Sequence, residues 1–126
     1  RADIVTIHVP YSRETHHAVG GQEIALLKRS AILIHAARGG VVDDAALVEA
    51  LRSGAIAGAC LDVFEGEPAI HPGFRELWNV VLSPHIASSS GKTRFRMAMK
   101  AAENLVAALT TGNPPNLLNP EVKKQP

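Results

Sequence analysis

The stretch AILIHAARGGVVDDAALVEALRSGAIAGACLDV, residues 31–63, decides the fold. It begins with an apolar run too short for a helix, passes through an Arg-Gly-Gly turn, and then carries apolar residues at helical spacing. Asp43 or Asp44 can cap that helix, and Gly54 can end it. A second apolar run follows at residues 56–63. The stretch therefore predicts a strand, a helix and a second strand, which together form a right-handed β-α-β unit of a parallel sheet.

The flanking sequence extends this pattern on both sides. We predict further strands at residues 2–9 and 79–82, a helix at 22–29, and a long helix, capped by serines, from Ser88 to about Leu109. The strands are nearly continuous in apolar residues, which is typical of buried parallel strands with helices on both faces. The predicted fold class is α/β, with a parallel sheet of about four strands flanked by helices.

Composition excludes several classes of protein. Hydrophobic residues make up 46% of the 126 residues, charged residues make up 20%, and the formal net charge is +1. The scattered basic residues do not indicate a nucleic-acid partner. No apolar stretch approaches the ~20 residues of a membrane span, so we expect no membrane partner either. Cys60 is the only cysteine and can form no internal disulfide, which favours a reducing, cytoplasmic location. We expect its thiol to be buried and inert.

Polar residues follow the predicted strands directly, at their carboxyl ends. In open parallel sheets, ligands bind at this edge. The polar residues lie in the motifs HAARGG, LDVFEGEP and LSPHIA, which contain Arg38, Asp62, Glu67 and His85. A guanidinium can bind a carboxylate through two hydrogen bonds, an imidazole can transfer a proton near neutral pH, and a carboxylate can hold that imidazole. Taken one at a time, Arg38 and Glu67 also suit exposed loops, Glu65 competes with Glu67, and a histidine at a strand end is often structural.

The six histidines show no metal-binding spacing. His16 and His17 are adjacent, so they cannot share a helix face, and the others form no H-x-x-x-H or Cys-His pattern. We therefore predict no metal site. The serines at 88–90 lack the context of a catalytic nucleophile and suit a helix cap instead.

Taken together, the segments resemble the D-isomer-specific 2-hydroxyacid dehydrogenases from Ala2 to about Asn119. The stretches that carry the resemblance are ADIVTIHVPYSRETHHAV, AILIHAARGGVVDDAALVEALRSGAIAGACLDVFEGEP and NVVLSPHIASSS. Within the family the chain is most similar to glyoxylate, hydroxypyruvate or 2-ketogluconate reductases. The resemblance implies hydride transfer between NAD or NADP and C2 of a small 2-oxo or 2-hydroxy acid.

The resemblance also implies roles for particular residues. The family's catalytic arginine, glutamate and histidine fall on Arg38, Glu67 and His85. By this resemblance, Arg38 binds the substrate carboxylate, and His85 gives the proton. Glu67 sustains the charge of the His85 imidazole. His35 stands where many relatives have asparagine, which should alter either a contact on the cofactor side or one with a residue behind the site, without removing the reaction. The residues that the resemblance places against the cofactor are Val9, Pro10, Thr15, Ala36, Ala37, Arg38, Asp62, His85 and Ala87.

The resemblance further implies that these 126 residues are a C-terminal portion of such an enzyme. Residues 1–90 match the C-terminal half of its Rossmann-like NAD(P)-binding domain, and residues 91–126 match a connecting helix and a tail that returns to the substrate domain. The G-x-G-x-x-G turn for the pyrophosphate is absent from the sequence. We therefore expect the chain alone to bind cofactor weakly and to be inactive, and the whole enzyme to be a homodimer.

A second hypothesis is a nucleotide-sensing regulatory protein on the same fold, since transcriptional corepressors related to these dehydrogenases keep much of the motif set. Fold alone does not decide between the two. Formate dehydrogenases are a third relative, but Glu67 before Pro68 disfavours them, because they resemble a glutamine variant there.

Overall fold

The computed structural model describes residues 2–122. The chain divides after Ala87 into two compact units, Arg1–Ala87 and Ser88–Pro126. The predicted assignment of residues 1–90 and 91–126 to two domains of a larger enzyme stays a prediction.

The first unit is built on a four-stranded parallel sheet, as predicted. Neighbouring strands follow one another in chain order, so each connection crosses over the sheet to start the next parallel strand. The strands are shorter than the apolar runs that contain them. Their bounds are β1 (Ile4–Ile7), β2 (Ile32–His35), β3 (Gly58–Leu61) and β4 (Val80–Leu82).

The central helix, α2, follows the sequence signals closely. It spans Asp44–Ser53, after α1 at Gly21–Ala25. The Asp43 carboxylate accepts a hydrogen bond of 3.0 Å from the backbone N–H of Ala46 and caps the helix. Gly54 ends the helix in the left-handed conformation, at φ 68°.

The predicted helix at 22–29 is shorter than expected, and α1 stops at Ala25. A turn follows, in which the N–H of Ala31 donates to the carbonyl of Lys28 at 2.8 Å. Strand β2 begins at the next residue. Ile24 is buried, whereas Leu26 is 82% exposed. The apolar residues have helical spacing, but only part of this apolar face packs against the core. The helix is therefore shorter than the spacing predicts.

The hydrophobic core lies on one face of the sheet, against α2. Residues of the strands alternate between a buried side, which includes Leu33 and Leu61, and a side that is exposed or half-buried, which includes Ile4 and Ile32. The predicted parallel sheet flanked by helices is confirmed, and within the first unit one side of the strands is more buried than the other. Continuous apolar strands do not by themselves tell which face is covered. Cys60 lies on the less covered face and is half-buried rather than buried.

As far as residue 122, the second unit contains one long helix and a short segment after it. Helix α3 spans Gly91–Thr111, and Ser90 caps it by accepting from the N–H of Thr93 at 3.2 Å. Gly112 ends it at φ 67°. No helix within residues 2–122 has both the length and the apolar character that a bilayer crossing requires. A single 3₁₀ turn, Pro120–Val122, follows.

Candidate active site at the carboxyl ends of the strands

The Arg38 loop follows β2 and is fixed by close backbone packing. A Cβ at Gly39 would overlap the carbonyl group of Phe64, so only glycine fits there. Gly40 has φ 82°, a conformation that glycine adopts without strain. His35 donates from Nε2 to the carbonyl of Arg38 at 2.9 Å. The loop is therefore held both by the strand that precedes it and by the loop after β3.

His35 is an unusual residue for the end of a buried strand. Its side chain is 1% exposed, and burial lowers its pKa, partly opposed by the bond to Arg38. Its Nδ1 has no hydrogen-bond partner among residues 2–122. A neutral imidazole with its proton on Nε2 satisfies these observations, because the carbonyl can only accept.

Asp62 organises the turn that contains His85. Its Oδ1 accepts from Ser83 Oγ at 2.5 Å and from the N–H of Ile86 at 2.9 Å, and its Oδ2 accepts from the N–H of Ala87 at 2.8 Å. Asp62 directly follows β3 and is buried. Burial acts to raise the pKa of Asp62, but these hydrogen bonds outweigh it and the pKa is lowered.

Glu67 and His85 form the central pair of the site. His85 Nδ1 lies 2.7 Å from Glu67 Oε2, and the two side chains are 44% and 34% exposed. The other carboxylate oxygen, Oε1, accepts from the N–H of Phe64 at 2.9 Å. The hydrogen bond with His85, followed by the one from Phe64, lowers the pKa of Glu67 against the opposing effect of burial. His85 itself is held in a left-handed conformation, at φ 53°, which a non-glycine residue rarely adopts.

This pair opens onto an apolar cavity of about 540 Å³. The carboxylate and imidazole are its main ionisable groups, and the rest of the wall is mostly hydrophobic. An apolar cavity with few polar groups is a common form of a small-molecule site. The lining residues are Phe64, Glu67, Pro68, Ile70, Leu82, Ser83, Pro84 and His85.

A second cavity, of about 300 Å³, lies at the ends of β1 and β2. Five of the predicted cofactor residues line it together with His8, namely Val9, Pro10, Ala36, Ala37 and Arg38. Thr15 closes the loop after β1, because its hydroxyl donates to the carbonyl of Pro10 at 2.8 Å. These small or apolar residues leave backbone groups within reach of a ligand.

The structure thus gathers the predicted residues into two groups. Glu67 and His85 are in contact, with Asp62 and Ala87 beside them. Arg38 belongs to the other group, where its Nη1 donates to the carbonyl of Ala37 at 2.6 Å. Within residues 2–122 the guanidinium makes no hydrogen bond or ion pair with Glu67 or His85.

Sequence reasoning missed two residues that hold the site. Ser83 binds Asp62, and Asp44 accepts from the N–H of Glu65 at 3.0 Å, in the loop of Glu67. Asp44 is buried, and burial raises its pKa above that of an ordinary aspartate. In the sequence, Ser83 is a hydroxyl residue directly after a strand, and Asp44 is a second acid at the start of a helix. Neither position indicates a partner on another loop.

Comparison with known proteins places this arrangement among dehydrogenases. Residues 1–87 match the family model described as D-isomer specific 2-hydroxyacid dehydrogenase, NAD binding domain. The glyoxylate reductase of Aeropyrum pernix is 54% identical over 125 residues, which are 98% of this chain and 37% of that protein. The glyoxylate/hydroxypyruvate reductase B of Pectobacterium carotovorum is 47% identical over 98% of this chain and 39% of its own.

A solved structure agrees with these relatives. The NADPH-dependent glyoxylate/hydroxypyruvate reductase of Sinorhizobium meliloti, in complex with NADP and malonate, superposes with a TM-score of 0.86 and 41% identity. The match covers 90% of this chain and 36% of that one. The chain therefore spans a little more than a third of the length of the relatives that it matches.

Proposed function

Because this chain belongs to the D-isomer-specific 2-hydroxyacid dehydrogenase family, we propose that it forms the proton-transfer part of an NAD(P)-dependent oxidoreductase. The substrate class is a small 2-oxo acid such as glyoxylate or hydroxypyruvate. The observation that carries this proposal is the contact of 2.7 Å between Glu67 Oε2 and His85 Nδ1. An imidazole whose Nδ1 is held by a carboxylate can use Nε2 as a general acid.

In the proposed mechanism His85 gives the proton to the substrate oxygen as the carbonyl is reduced. Glu67 fixes the ring orientation and stabilises the positive charge that the imidazole carries before transfer. Asp62 supports the turn that positions His85, through the N–H groups of Ile86 and Ala87. Arg38 binds the substrate carboxylate through paired hydrogen bonds from Nε and Nη2, since only Nη1 donates to the Ala37 carbonyl.

The cavity between the ends of β1 and β2 fits one end of a nicotinamide nucleotide. Its volume, about 300 Å³, suits a ring and sugar rather than a whole dinucleotide. When bound, NAD or NADP supplies the hydride. The sequence has no G-x-G-x-x-G turn, so its own residues account only for the nicotinamide end. Val9, Pro10, Ala36 and Ala37 would hold that end, with Thr15 fixing the Pro10 carbonyl.

We also propose a cytoplasmic location and a homodimer for the whole enzyme. The single cysteine supports a reducing compartment. The apolar side chains that α3 exposes support a subunit interface, among them Phe95 at 67% and Leu109 at 78%. Neither of the relatives named above carries a regulatory name, so the corepressor hypothesis gains no support from them.

A chimera tests the proposal directly. The chain replaces the matching 37% of the Aeropyrum pernix glyoxylate reductase, and oxidation of NADH and NADPH by glyoxylate is followed. We expect activity in the chimera and none in the chain alone. His85→Gln should lower kcat by about 10²–10⁴-fold, the usual contribution of a general acid. Arg38→Lys should mainly raise KM, because lysine cannot form the paired bonds.

The matched control is Glu76→Gln, which changes an exposed glutamate that pairs with Arg52 on the surface. It should leave kcat and KM unchanged, whereas Glu67→Gln should lower kcat. Circular dichroism checks that each variant folds. A His85→Gln chimera that keeps kcat within about threefold would contradict the assignment of the general acid, since that is far below the expected loss.

A further inference from the structure

A cluster of metal-binding side chains lies outside the proposed active-site pair. One ligand atom from each of His16, His17 and Glu65 can be chosen so that all three lie within 4.8 Å of one another. The sequence concealed this cluster, because adjacent histidines in a strand or helix point apart. Here His17 has φ 50°, and the two imidazoles stack with ring centroids 3.9 Å apart. The backbone conformation therefore places both rings beside the loop that contains Glu65.

The three side chains are held by contacts that suit a metal site. His17 Nε2 lies 2.7 Å from Glu65 Oε1, and His17 Nδ1 lies 3.7 Å from Asp43 Oδ2. A histidine that binds a metal through one nitrogen usually has a carboxylate or carbonyl facing the other. The hydroxyl of Tyr11 lies 3.5 Å from Nδ1 of His16 and meets that ring edge-on. Each ring thus has a polar or aromatic neighbour.

The segments that supply the ligands are also tied together through the backbone. The N–H of His17 donates to the carbonyl of Gly40 at 2.8 Å, and the N–H of Glu65 donates to Asp44 Oδ2 at 3.0 Å. Both segments are therefore anchored close together, one on the connection between β2 and α2 and the other on the first residue of α2. A site whose ligands are anchored in advance loses less entropy when an ion binds.

We propose that His16, His17 and Glu65 form a binding site for a divalent transition-metal ion of the zinc class. Two imidazoles and one carboxylate are a ligand set that zinc accepts in four-coordinate sites, with a water molecule in the fourth position. The two carboxylates near His17, from Asp43 and Glu65, favour a cation electrostatically. Nε2 of His17 binds an ion only when it carries no proton, which places the ring proton on Nδ1, the nitrogen that faces Asp43 Oδ2 at 3.7 Å.

Binding requires the two imidazoles to turn out of their stack, because an imidazole nitrogen binds a metal in the plane of the ring. Ligand atoms at about 2.1 Å from a tetrahedral ion lie about 3.4 Å apart. The contact of 2.7 Å between His17 and Glu65 must open slightly, and the widest separation, at most 4.8 Å, must close. The side chains of His17 and Glu65 are 35% and 38% exposed, so rotation about their side-chain bonds is possible without disturbing the core.

Calorimetric titration of the tag-free chain with Zn²⁺ and Co²⁺ tests the proposal. We expect one ion to bind per chain at neutral pH, weaker binding at mildly acidic pH because histidine must be neutral to bind, and a visible absorption band with Co²⁺. His16→Ala and Glu65→Gln should each weaken binding by about tenfold or more, the loss seen even when outer contacts of a metal site are removed.

Two further variants keep the test decisive. His8→Ala removes an exposed histidine outside the cluster and should bind the ions as the unchanged chain does. His17→Asn keeps a residue that tolerates the left-handed conformation and should lose binding without loss of fold, checked by circular dichroism. Absence of saturable binding up to millimolar ion would overturn the proposal. Equal affinity in His16→Ala, Glu65→Gln and the unchanged chain would do the same.

Discussion

Removing the Asp62 carboxylate tests how the His85 turn is held. Three groups donate to this side chain, the hydroxyl of Ser83 and the N–H groups of Ile86 and Ala87, at 2.5–2.9 Å. Hydrogen bonds to a charged group contribute about 1.5–3 kcal/mol each, so their gross loss is about 5–9 kcal/mol. Ile86 and Ala87 are exposed residues, and water can replace part of that loss. We expect Asp62→Ala to lower the free energy of unfolding by about 2–4 kcal/mol.

Asp62→Asn should lower the free energy of unfolding less than Asp62→Ala does, by about 1–2 kcal/mol, because the amide oxygen of asparagine can still accept one backbone hydrogen bond. The assay is urea unfolding followed by circular dichroism. Asp3→Asn is the matched control, since Asp3 pairs with Lys28 at 2.7 Å but its side chain is 76% exposed. An exposed pair of this kind contributes less than about 1 kcal/mol.

The pH dependence supplies an independent check on the same residue. The pKa of Asp62 is lower in the folded chain than in an ordinary aspartate, so its stabilisation is present above the unfolded pKa of about 3.9. That stabilisation is lost as pH falls through the lower folded pKa. The stability difference between the unchanged chain and Asp62→Asn should therefore be constant near neutrality and shrink below about pH 4. An Asp62→Ala loss no larger than that of Asp3→Asn would refute the reasoning.

Three further changes test the loops around the site. Gly39→Ala places a Cβ against the carbonyl of Phe64 and should lower the free energy of unfolding by about 3 kcal/mol or more, measured by thermal unfolding. In the control Gly91→Ala the new Cβ meets nothing within 4 Å, so the free energy of unfolding should not change. Asp43→Ala removes the cap of α2 and should cost about 1 kcal/mol in urea unfolding. Burial raises the pKa of Asp44, so carbon NMR should show this carboxyl titrating above ordinary aspartates. Asp44→Asn should be more stable than the unchanged chain at neutral pH. This advantage should begin to shrink as pH falls to the raised folded pKa and should be gone below the ordinary pKa of the unfolded chain.

The parallel sheet and its central helix could be predicted because their signals are local. Asp43 and Gly54 sit one residue outside the two ends of α2, where a capping carboxylate and a left-handed glycine are expected. The apolar runs gave the strands and their order. Coverage of the sheet could not be predicted, because the side that carries Ile4 and Ile32 is as apolar in sequence as the buried side.

The candidate site was predictable in residue type but not in geometry. Glu67 could be distinguished from Glu65 only through the resemblance to a family, and their partners show why both are plausible acids. Glu67 binds His85, while Glu65 binds His17, each at 2.7 Å. Two glutamates separated by one glycine thus bind two different histidines. No periodicity in the sequence encodes that choice, since it depends on where the loops after β1 and β4 lie relative to the loop after β3.

Asp62 illustrates how a single residue type can suit two different roles. As a member of the family pattern it was predicted to contact the cofactor, and that role stays a prediction. A carboxylate has about four positions for accepting hydrogen bonds, and three of them are engaged by the turn that contains His85. Among residues 2–122 the carboxylate accepts from this turn alone, which leaves about one accepting position. If that position is used, a ligand bound there and the orientation of His85 depend on the same side chain, so changes at Asp62 should alter cofactor affinity and proton transfer together.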